Sequence, residues 1–355
     1  MEPEYIKGRG SQINTDNKFS KLKYLNNGID GVDEQWDLNA GTEVIYAHPK
    51  TILNKVTSPD IPSDYSMNPY QGCEHGCIYC YARNSHEYWG YSAGIDFEKK
   101  IIVKENAAKL LEAELRGKNW VPKTIMLSGN TDCYQPIERK LKITRTVLET
   151  LLNFRNPVGI ITKNSLILRD IDLLKELSKL NLVHVMVSIT TLNEDLRQVM
   201  EPRTATAKQR LKVINELSAA GIPVGVMVAP IIPGLTSNSM PDIIELAALN
   251  GARTAGMTLV RLNGAIAELF RDWLEKNFPD RAEKVWNQIS ECHGGEVNDS
   301  RFGTRMKGEG KIAESIHQLF KMSVKKYIKD QPAFAYNVKA FRRPDKNGQF
   351  NMFDL

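Results

Sequence analysis

Short apolar runs alternate with amphipathic stretches along the middle of the chain. The runs are rich in β-branched residues and are bounded by turn residues, which is typical of buried strands. Five of them lie at residues 124–129, 158–163, 182–189, 222–230 and 254–262. We expect a sixth strand ahead of them, near residues 65–69.

Apolar residues with helical spacing separate these strands, at residues 138–153, 170–180, 206–220 and 240–250. A repeated strand and helix predicts a parallel sheet covered by helices, and the near-continuous apolar runs fit strands buried on both faces. The fold class is therefore α/β. Six such units form either a partial barrel or an open doubly wound sheet, and both place functional residues at the carboxyl ends of the strands.

The remaining segments surround this repeat. Residues 1–60 are polar and turn-rich and are expected to form an N-terminal extension, and the repeat itself occupies residues 61–262. Helical periodicity without strands continues through residues 263–330, which we expect to pack on the repeat. Residues 331–355 are predicted to be a basic and apolar tail.

The composition is that of a globular protein, with 42% hydrophobic and 25% charged residues. The longest apolar stretch, at residues 221–235, contains three prolines and is too short to cross a bilayer, so no membrane partner is expected. The first twelve residues carry charges where a signal peptide needs an apolar core. We therefore expect a cytoplasmic protein, in which clustered cysteines are more often metal ligands or catalysts than disulfides.

The net charge of +5 and the pI near 8.8 indicate only a modest basic excess, but its distribution is uneven. Residues 321–343 contain seven lysines and arginines, one aspartate and four aromatic residues. Basic and aromatic residues together suit phosphates and unstacked bases. A solvated helix followed by a tail explains the same composition.

Three of the five cysteines, Cys73, Cys77 and Cys80, lie within eight residues and have the spacing C-x3-C-x2-C. A structural zinc site needs four ligands and usually pairs two such arms, of which this chain has one. Cysteine thiolates are also the usual ligands of iron–sulfur clusters. Three thiolates on a four-iron cluster would leave one iron open for a substrate or cofactor.

This motif, after the first strand of a β/α repeat, resembles the radical S-adenosylmethionine superfamily. The resemblance spans residues 65–262 and implies a partial (β/α)6 barrel of the TIM type. It also implies a [4Fe–4S] cluster on Cys73, Cys77 and Cys80, with S-adenosylmethionine chelating the fourth iron. Reduction of the cluster would cleave this cofactor to methionine and a 5'-deoxyadenosyl radical, which abstracts hydrogen from the substrate.

Within the superfamily, four stretches look most like uncharacterised relatives of spore photoproduct lyase, an enzyme that reverses a thymine-dimer lesion in DNA. They lie at residues 73–83 (CEHGCIYCYAR), 128–138 (SGNTDCYQPIE), 161–165 (ITKNS) and 229–234 (APIIPG). This finer resemblance implies a reaction on nucleic acid, of the repair or modification type.

The resemblance also implies roles for residues at the strand ends. Tyr79 would pack near the adenine, although a space-filling role fits equally well, and Lys163 would hold the methionyl carboxylate unless it is an ordinary surface lysine. Thr131 and Asp132 stand where the superfamily binds the methionyl amine, but its usual Gly-Gly-Glu is absent here. The remaining candidates for cofactor contacts are Ser188 and the backbone of Ala229.

Cys133 is a candidate hydrogen-atom donor, because the lyase uses a cysteine beside this loop to return hydrogen to its product. The position does not align, since Gly129 or Asn130 occupies it here, and a buried, inactive thiol is the alternative.

Three functions fit these features. The first is a radical enzyme acting on nucleic acid, with an electron donor such as flavodoxin or ferredoxin. The second is a radical enzyme acting on a peptide or small metabolite, since fold and cofactor do not fix the substrate. The third is an iron–sulfur electron carrier or sensor. The peptide from Gln349 to Phe353 also resembles the motif that docks bacterial repair proteins on the sliding clamp.

Overall fold

A computed structural model describes residues 5–19, 41–61, 63–328 and 334–344. The clamp-like peptide from Gln349 to Phe353 lies outside these residues. Ten strands occur in the described part of the chain: β1 (Glu43–Tyr46), β2 (Leu53–Lys55), β3 (Tyr65–Met67), β4 (Tyr70–Gln71), β5 (Lys100–Val103), β6 (Ile125–Leu127), β7 (Val158–Thr162), β8 (Val183–Ser188), β9 (Val224–Ile231) and β10 (Thr254–Leu259).

Seven of these strands form the main sheet, in the order β10-β9-β8-β7-β6-β3-β2. The six strands predicted from the apolar runs are present and pair in parallel from β3 to β10, and only β2 is antiparallel to its neighbour. In the pairing found for the described residues, β10 and β2 remain the two edges. The sheet is therefore a partial barrel that does not close.

Helices follow the parallel strands as the periodicity predicts, and most of the predicted bounds are correct within two residues. The helices are α1 (Ile95–Lys99), α2 (Ala107–Arg116), α3 (Glu138–Leu141), α4 (Ile143–Phe154), α5 (Ile171–Lys179), α6 (Glu194–Met200), α7 (Ala207–Ala219), α8 (Met240–Leu249), α9 (Ile266–Asn277), α10 (Ala282–Glu291) and α11 (Gly310–Tyr327). The helix predicted at 138–153 is two helices, because Lys142 adopts a left-handed conformation between α3 and α4.

The alternating faces of the strands explain where the core lies. Val183 and Val185 of β8 are fully buried beneath the helices, whereas His184 and Met186 point to the other face and are partly exposed. β9 repeats this pattern, with Val226 buried and Met227 partly exposed. The side chains on the outer face of the sheet thus form the main hydrophobic core, and those on its inner face line the interior of the partial barrel.

The N-terminal extension takes part in both sheets. β1 pairs in parallel with β5, which completes a three-stranded sheet with β4, and β2 adds to the edge of the main sheet beside β3. These strands are two to four residues long, which is too short for a clear period of two.

The aromatic side chains in the described part of the C-terminal tail pack against the protein, whereas its basic residues Lys339 and Arg343 are exposed. The Phe334 ring lies 5.4 Å from the ring of His184, near the start of β8, and Phe341 lies 6.4 Å from Phe154. Arg343 donates to the backbone carbonyl of Gly117 at 3.1 Å. The aromatic residues of the tail therefore contribute to packing.

None of the helices among the described residues is both long and apolar enough to span a membrane.

Candidate iron–sulfur and cofactor site

The cysteine loop begins directly after β4, at the carboxyl end of β3. Gly72 opens it with φ +79°, and a Cβ there would lie 2.8 Å from the carbonyl oxygen of Lys100, so only glycine fits this turn. A 3-10 helix from Tyr81 to Trp89 follows the loop. Short backbone bonds, such as that from Cys80 N to Cys77 O at 3.3 Å, fold the loop tightly.

The three thiols of the loop are free and nearly enclosed. Cys73 and Cys77 are 6% and 7% exposed, and Cys80 is partly buried. Burial raises the pKa of all three thiols, and the carboxylates of Asp132 and Glu201 add to this effect at Cys73 and Cys77, respectively. Without a metal the thiols are therefore neutral, and a metal that binds them as thiolates must displace their protons.

The donors on the loop are three thiols, and cysteine thiolates are the usual ligands of iron–sulfur clusters. Among the described residues, no three His, Cys, Asp or Glu side chains converge as the ligands of one metal ion would. In a [4Fe–4S] cluster each thiolate binds a different iron. The ligands are therefore spread around the cluster and do not converge on one metal ion. Cys73, Cys77 and Cys80 place three thiols on one loop.

A buried group of charges contacts the loop, with Lys163 directly after β7, Glu201 directly after α6 and Arg210 within α7. The Glu201 carboxylate accepts from Arg210 at 2.6 Å and from Lys163 at 3.1 Å. Thr190 donates its hydroxyl to the same carboxylate at 2.7 Å, and the Tyr79 hydroxyl does so too. Burial alone would raise the pKa of Glu201, but the two cations hold it below its ordinary value.

Lys163 and Tyr79, both singled out from the sequence, therefore lie together. The Lys163 ammonium is 5.7 Å from the centre of the Tyr79 ring and donates to the carbonyl of Ala229 at 3.3 Å. Ala229 precedes a cis proline at the end of β9. Ser188 is buried at the end of β8, where its carbonyl accepts from Arg210 at 2.9 Å. These four predicted cofactor contacts thus share one end of the sheet.

Thr131 and Asp132 lie on the loop after β6. The Thr131 hydroxyl donates to the carbonyl of Tyr70 at 2.7 Å, which anchors the loop to β4. The Asp132 carboxylate accepts from the backbone N–H of Lys163 at 2.8 Å and lies 3.4 Å from the Nδ1 atom of His75. Asp132 thus connects the cysteine loop with the end of β7.

Cys133 is fully buried and belongs to the main hydrophobic core. Its backbone N–H donates to the Ser128 hydroxyl at 2.8 Å, and its carbonyl accepts from Thr144 at 2.6 Å. Burial raises the pKa of the thiol well above its ordinary value, so the S–H bond is retained.

The sequence analysis missed Glu201, Arg210 and Thr190. Glu201 and Thr190 follow α6 and β8, positions at which polar residues normally occur in loops, and Arg210 lies within α7. A buried Arg or Glu has no local sequence signal, because its burial depends on a partner that folding brings from elsewhere.

Comparison with known proteins defines the class to which this site belongs. The family model of the radical SAM superfamily matches residues 67–247, just over half of the chain. An uncharacterised protein from Mycobacterium tuberculosis is 35% identical over 234 residues, covering 65% of this chain and 69% of its own length. An uncharacterised protein from Methanocaldococcus jannaschii is 29% identical over 257 residues, covering 71% and 90%.

Among solved structures, the fold is similar to spore photoproduct lyase complexed with dinucleoside spore photoproduct. The TM-score is 0.58 at 13% identity, over 80% of this chain and 79% of that one. The same lyase with bound AdoMet and dinucleoside spore photoproduct gives a TM-score of 0.57 at 12% identity, over 80% and 78%.

The chain belongs to the radical SAM superfamily. Its cofactors are accordingly a [4Fe–4S] cluster and S-adenosylmethionine. The partial barrel expected from the sequence is the fold observed here.

Proposed function

We propose that Cys73, Cys77 and Cys80 bind three irons of the cluster and leave the fourth for S-adenosylmethionine. The observation that carries this proposal is the set of three free thiols, two buried and one half-buried, on one loop at the end of a parallel sheet. Together the two cofactors supply a 5'-deoxyadenosyl radical for hydrogen abstraction. A flavodoxin or ferredoxin is the kind of donor that would reduce the cluster.

The surrounding residues suit a zwitterionic ligand. The Lys163 ammonium is 16% exposed and is close enough to the cysteine loop to receive a carboxylate, while Glu201 holds it in place. The Asp132 carboxylate, which accepts from the backbone N–H of Lys163 at 2.8 Å, offers a partner for an ammonium group, and opposite charges bind strongly when water is excluded. We assign the methionyl carboxylate to Lys163 and the methionyl amine to Asp132.

We propose nucleic acid as the substrate class, in a repair or modification reaction. Arg261 follows β10 at the carboxyl end of the sheet, is partly buried, and makes no hydrogen bond or ion pair with the described part of the chain. Burial and the positive charge of Arg305 lower its pKa, so a bound anion would be favourable. Tyr81, directly after Cys80, is 51% exposed and offers a ring for a base to stack on.

Replacing Arg261 with alanine is expected to weaken binding of single-stranded DNA or RNA and to lower the slope of log Kd against log salt concentration by about one, as for one lost phosphate contact. Titrations at several salt concentrations measure this. Arg253→Ala is the matched control, because Arg253 is exposed at the opposite end of the same strand. If the wild-type chain binds no nucleic acid at any salt concentration, a peptide or small metabolite becomes the substrate class.

We also propose that Cys133 gives the hydrogen atom of its S–H bond to the product radical, since its buried thiol keeps this bond. The resulting thiyl radical returns to the thiol by taking up one electron from the flavodoxin or ferredoxin and one proton. Cys133→Ala is then expected to preserve formation of 5'-deoxyadenosine and to lower product formation by at least about tenfold, which corresponds to about 1.4 kcal/mol in the barrier. Chromatography measures both products. Unchanged product formation would leave Cys133 as a core residue, and Cys292→Ala, another buried thiol, controls for packing.

A further inference from the structure

Residues 9–15 of the N-terminal extension, here called the strap, lie directly on the cysteine loop. A Cβ added to Gly10 would be 1.7 Å from the carbonyl oxygen of Gly76, between Cys73 and Cys77. Side chains never approach a carbonyl this closely, so Gly10 is required for the strap to reach the loop. Further along the strap, the carbonyl of Ile13 is 2.1 Å from the position of a Cβ on Gly94.

Glu98 binds the strap through hydrogen bonds. Its carboxylate accepts from the backbone N–H of Ser11 at 2.8 Å and of Gly10 at 3.1 Å. Its backbone carbonyl accepts from the Arg9 guanidinium at 2.8 Å. Because Glu98 is fully buried, water does not supply hydrogen-bond donors to its oxygen atoms, and the strap supplies them instead.

The same carboxylate also holds the cysteine loop through Arg83. The two side chains are fully buried and their charged atoms are 2.5 Å apart. The Arg83 Nε atom donates to the carbonyl of Cys77 at 2.9 Å, and its Nη1 atom donates to the carbonyl of Gly94 at 3.0 Å. A continuous set of buried bonds therefore leads from the strap through Glu98 and Arg83 to a cluster cysteine.

We propose that Glu98 is a positioning residue for the iron–sulfur cluster and that the strap is one wall of the cluster site. The loop that carries the cysteines has little regular structure of its own, so its geometry depends on these partners. Removing the strap contacts would let the loop open and would admit oxygen to the cluster. This inference rests on the proposed cluster ligands, concerns cluster retention alone and is independent of the proposed substrate.

The test compares Gly10→Ala with Gly41→Ala in the full-length, anaerobically reconstituted protein. Gly41 belongs to the same extension, is exposed, and has nothing within 4 Å of an added Cβ. We expect the Gly10 variant to bind its cluster about 10–100-fold more weakly than wild type, the range for loss of a partner that orients a metal ligand, and therefore to lose its cluster absorbance faster in air. The Gly41 variant should match wild type. Iron analysis before and after exposure gives a second readout without enzyme turnover.

Glu98→Gln is the second variant, and it tests the proposal if the Gly10 variant does not fold. It keeps the size of the side chain and removes the charge opposite Arg83, so it should also release iron faster. Hydrogen exchange of residues 72–83 in the cofactor-free protein should speed up in both variants, whereas a merely structural role elsewhere would leave this segment protected. Wild-type rates of bleaching and exchange in the folded variants would overturn the proposal.

Discussion

Replacing Cys77 with alanine is expected to remove the cluster and to reduce 5'-deoxyadenosine formation to background. Cys77 is the middle cysteine of the loop, and its loss leaves two thiols for the cluster. Changing an outer partner of a metal ligand already costs about 10–100-fold in affinity, so loss of a ligand itself should exceed this range. Iron and sulfide analysis after anaerobic reconstitution, followed by chromatography of the reduced protein with S-adenosylmethionine, measures both effects.

The fold should survive this substitution. A buried cysteine packs like a small hydrophobic residue, so alanine in its place removes little volume, and the cofactor-free variant should melt within a few degrees of the cofactor-free wild type. Cys292→Ala serves as the control, since Cys292 is also buried but lies directly after α10. Full iron content in the Cys77 variant, or loss of iron in the Cys292 variant, would contradict the assignment of the ligands.

The parallel strands could be predicted because each carries its own signal. Both faces of β7, β8 and β9 are largely apolar, and the strands are five to eight residues long, so the runs stand out between turn residues. β1 and β4 gave no such signal, since they are four and two residues long and are stabilised by pairing with β5. Their existence depends on contacts across more than thirty residues of sequence.

The residues of the candidate site also differ in whether the sequence alone could predict them. The proposed cysteine ligands could be found from local spacing, because all three thiols lie within eight residues of sequence. Lys163 and Ala229 could be placed at strand ends, where α/β folds bind ligands. Glu98 and Glu201 could not be found, because each is defined by partners at a distance in sequence: Ser11 contacts Glu98, and Tyr79 contacts Glu201.

Glu201→Gln is expected to destabilise the protein strongly. Gln keeps the shape of the side chain but leaves the positive charges of Arg210 and Lys163 without their counter-charge in a buried site. Breaking a buried ion pair by removing one partner costs about 3–5 kcal/mol of the free energy of unfolding. Urea denaturation of the cofactor-free protein at neutral pH measures this. Glu283→Gln is the control, because Glu283 also pairs with an arginine, Arg271, but is 71% exposed, where a pair contributes about 0–1 kcal/mol.

The effect of Glu201 should also depend on pH in a defined direction. Because its pKa is lower in the folded than in the unfolded chain, its contribution is complete above the unfolded value of about 4.3 and is lost as the pH falls below it. The stability difference between wild type and Glu201→Gln should therefore be constant from neutral pH down to about pH 5 and should shrink in more acidic solution. A difference that stays constant through this acidic range would mean that the folded protein does not hold Glu201 as a charged partner of Arg210 and Lys163.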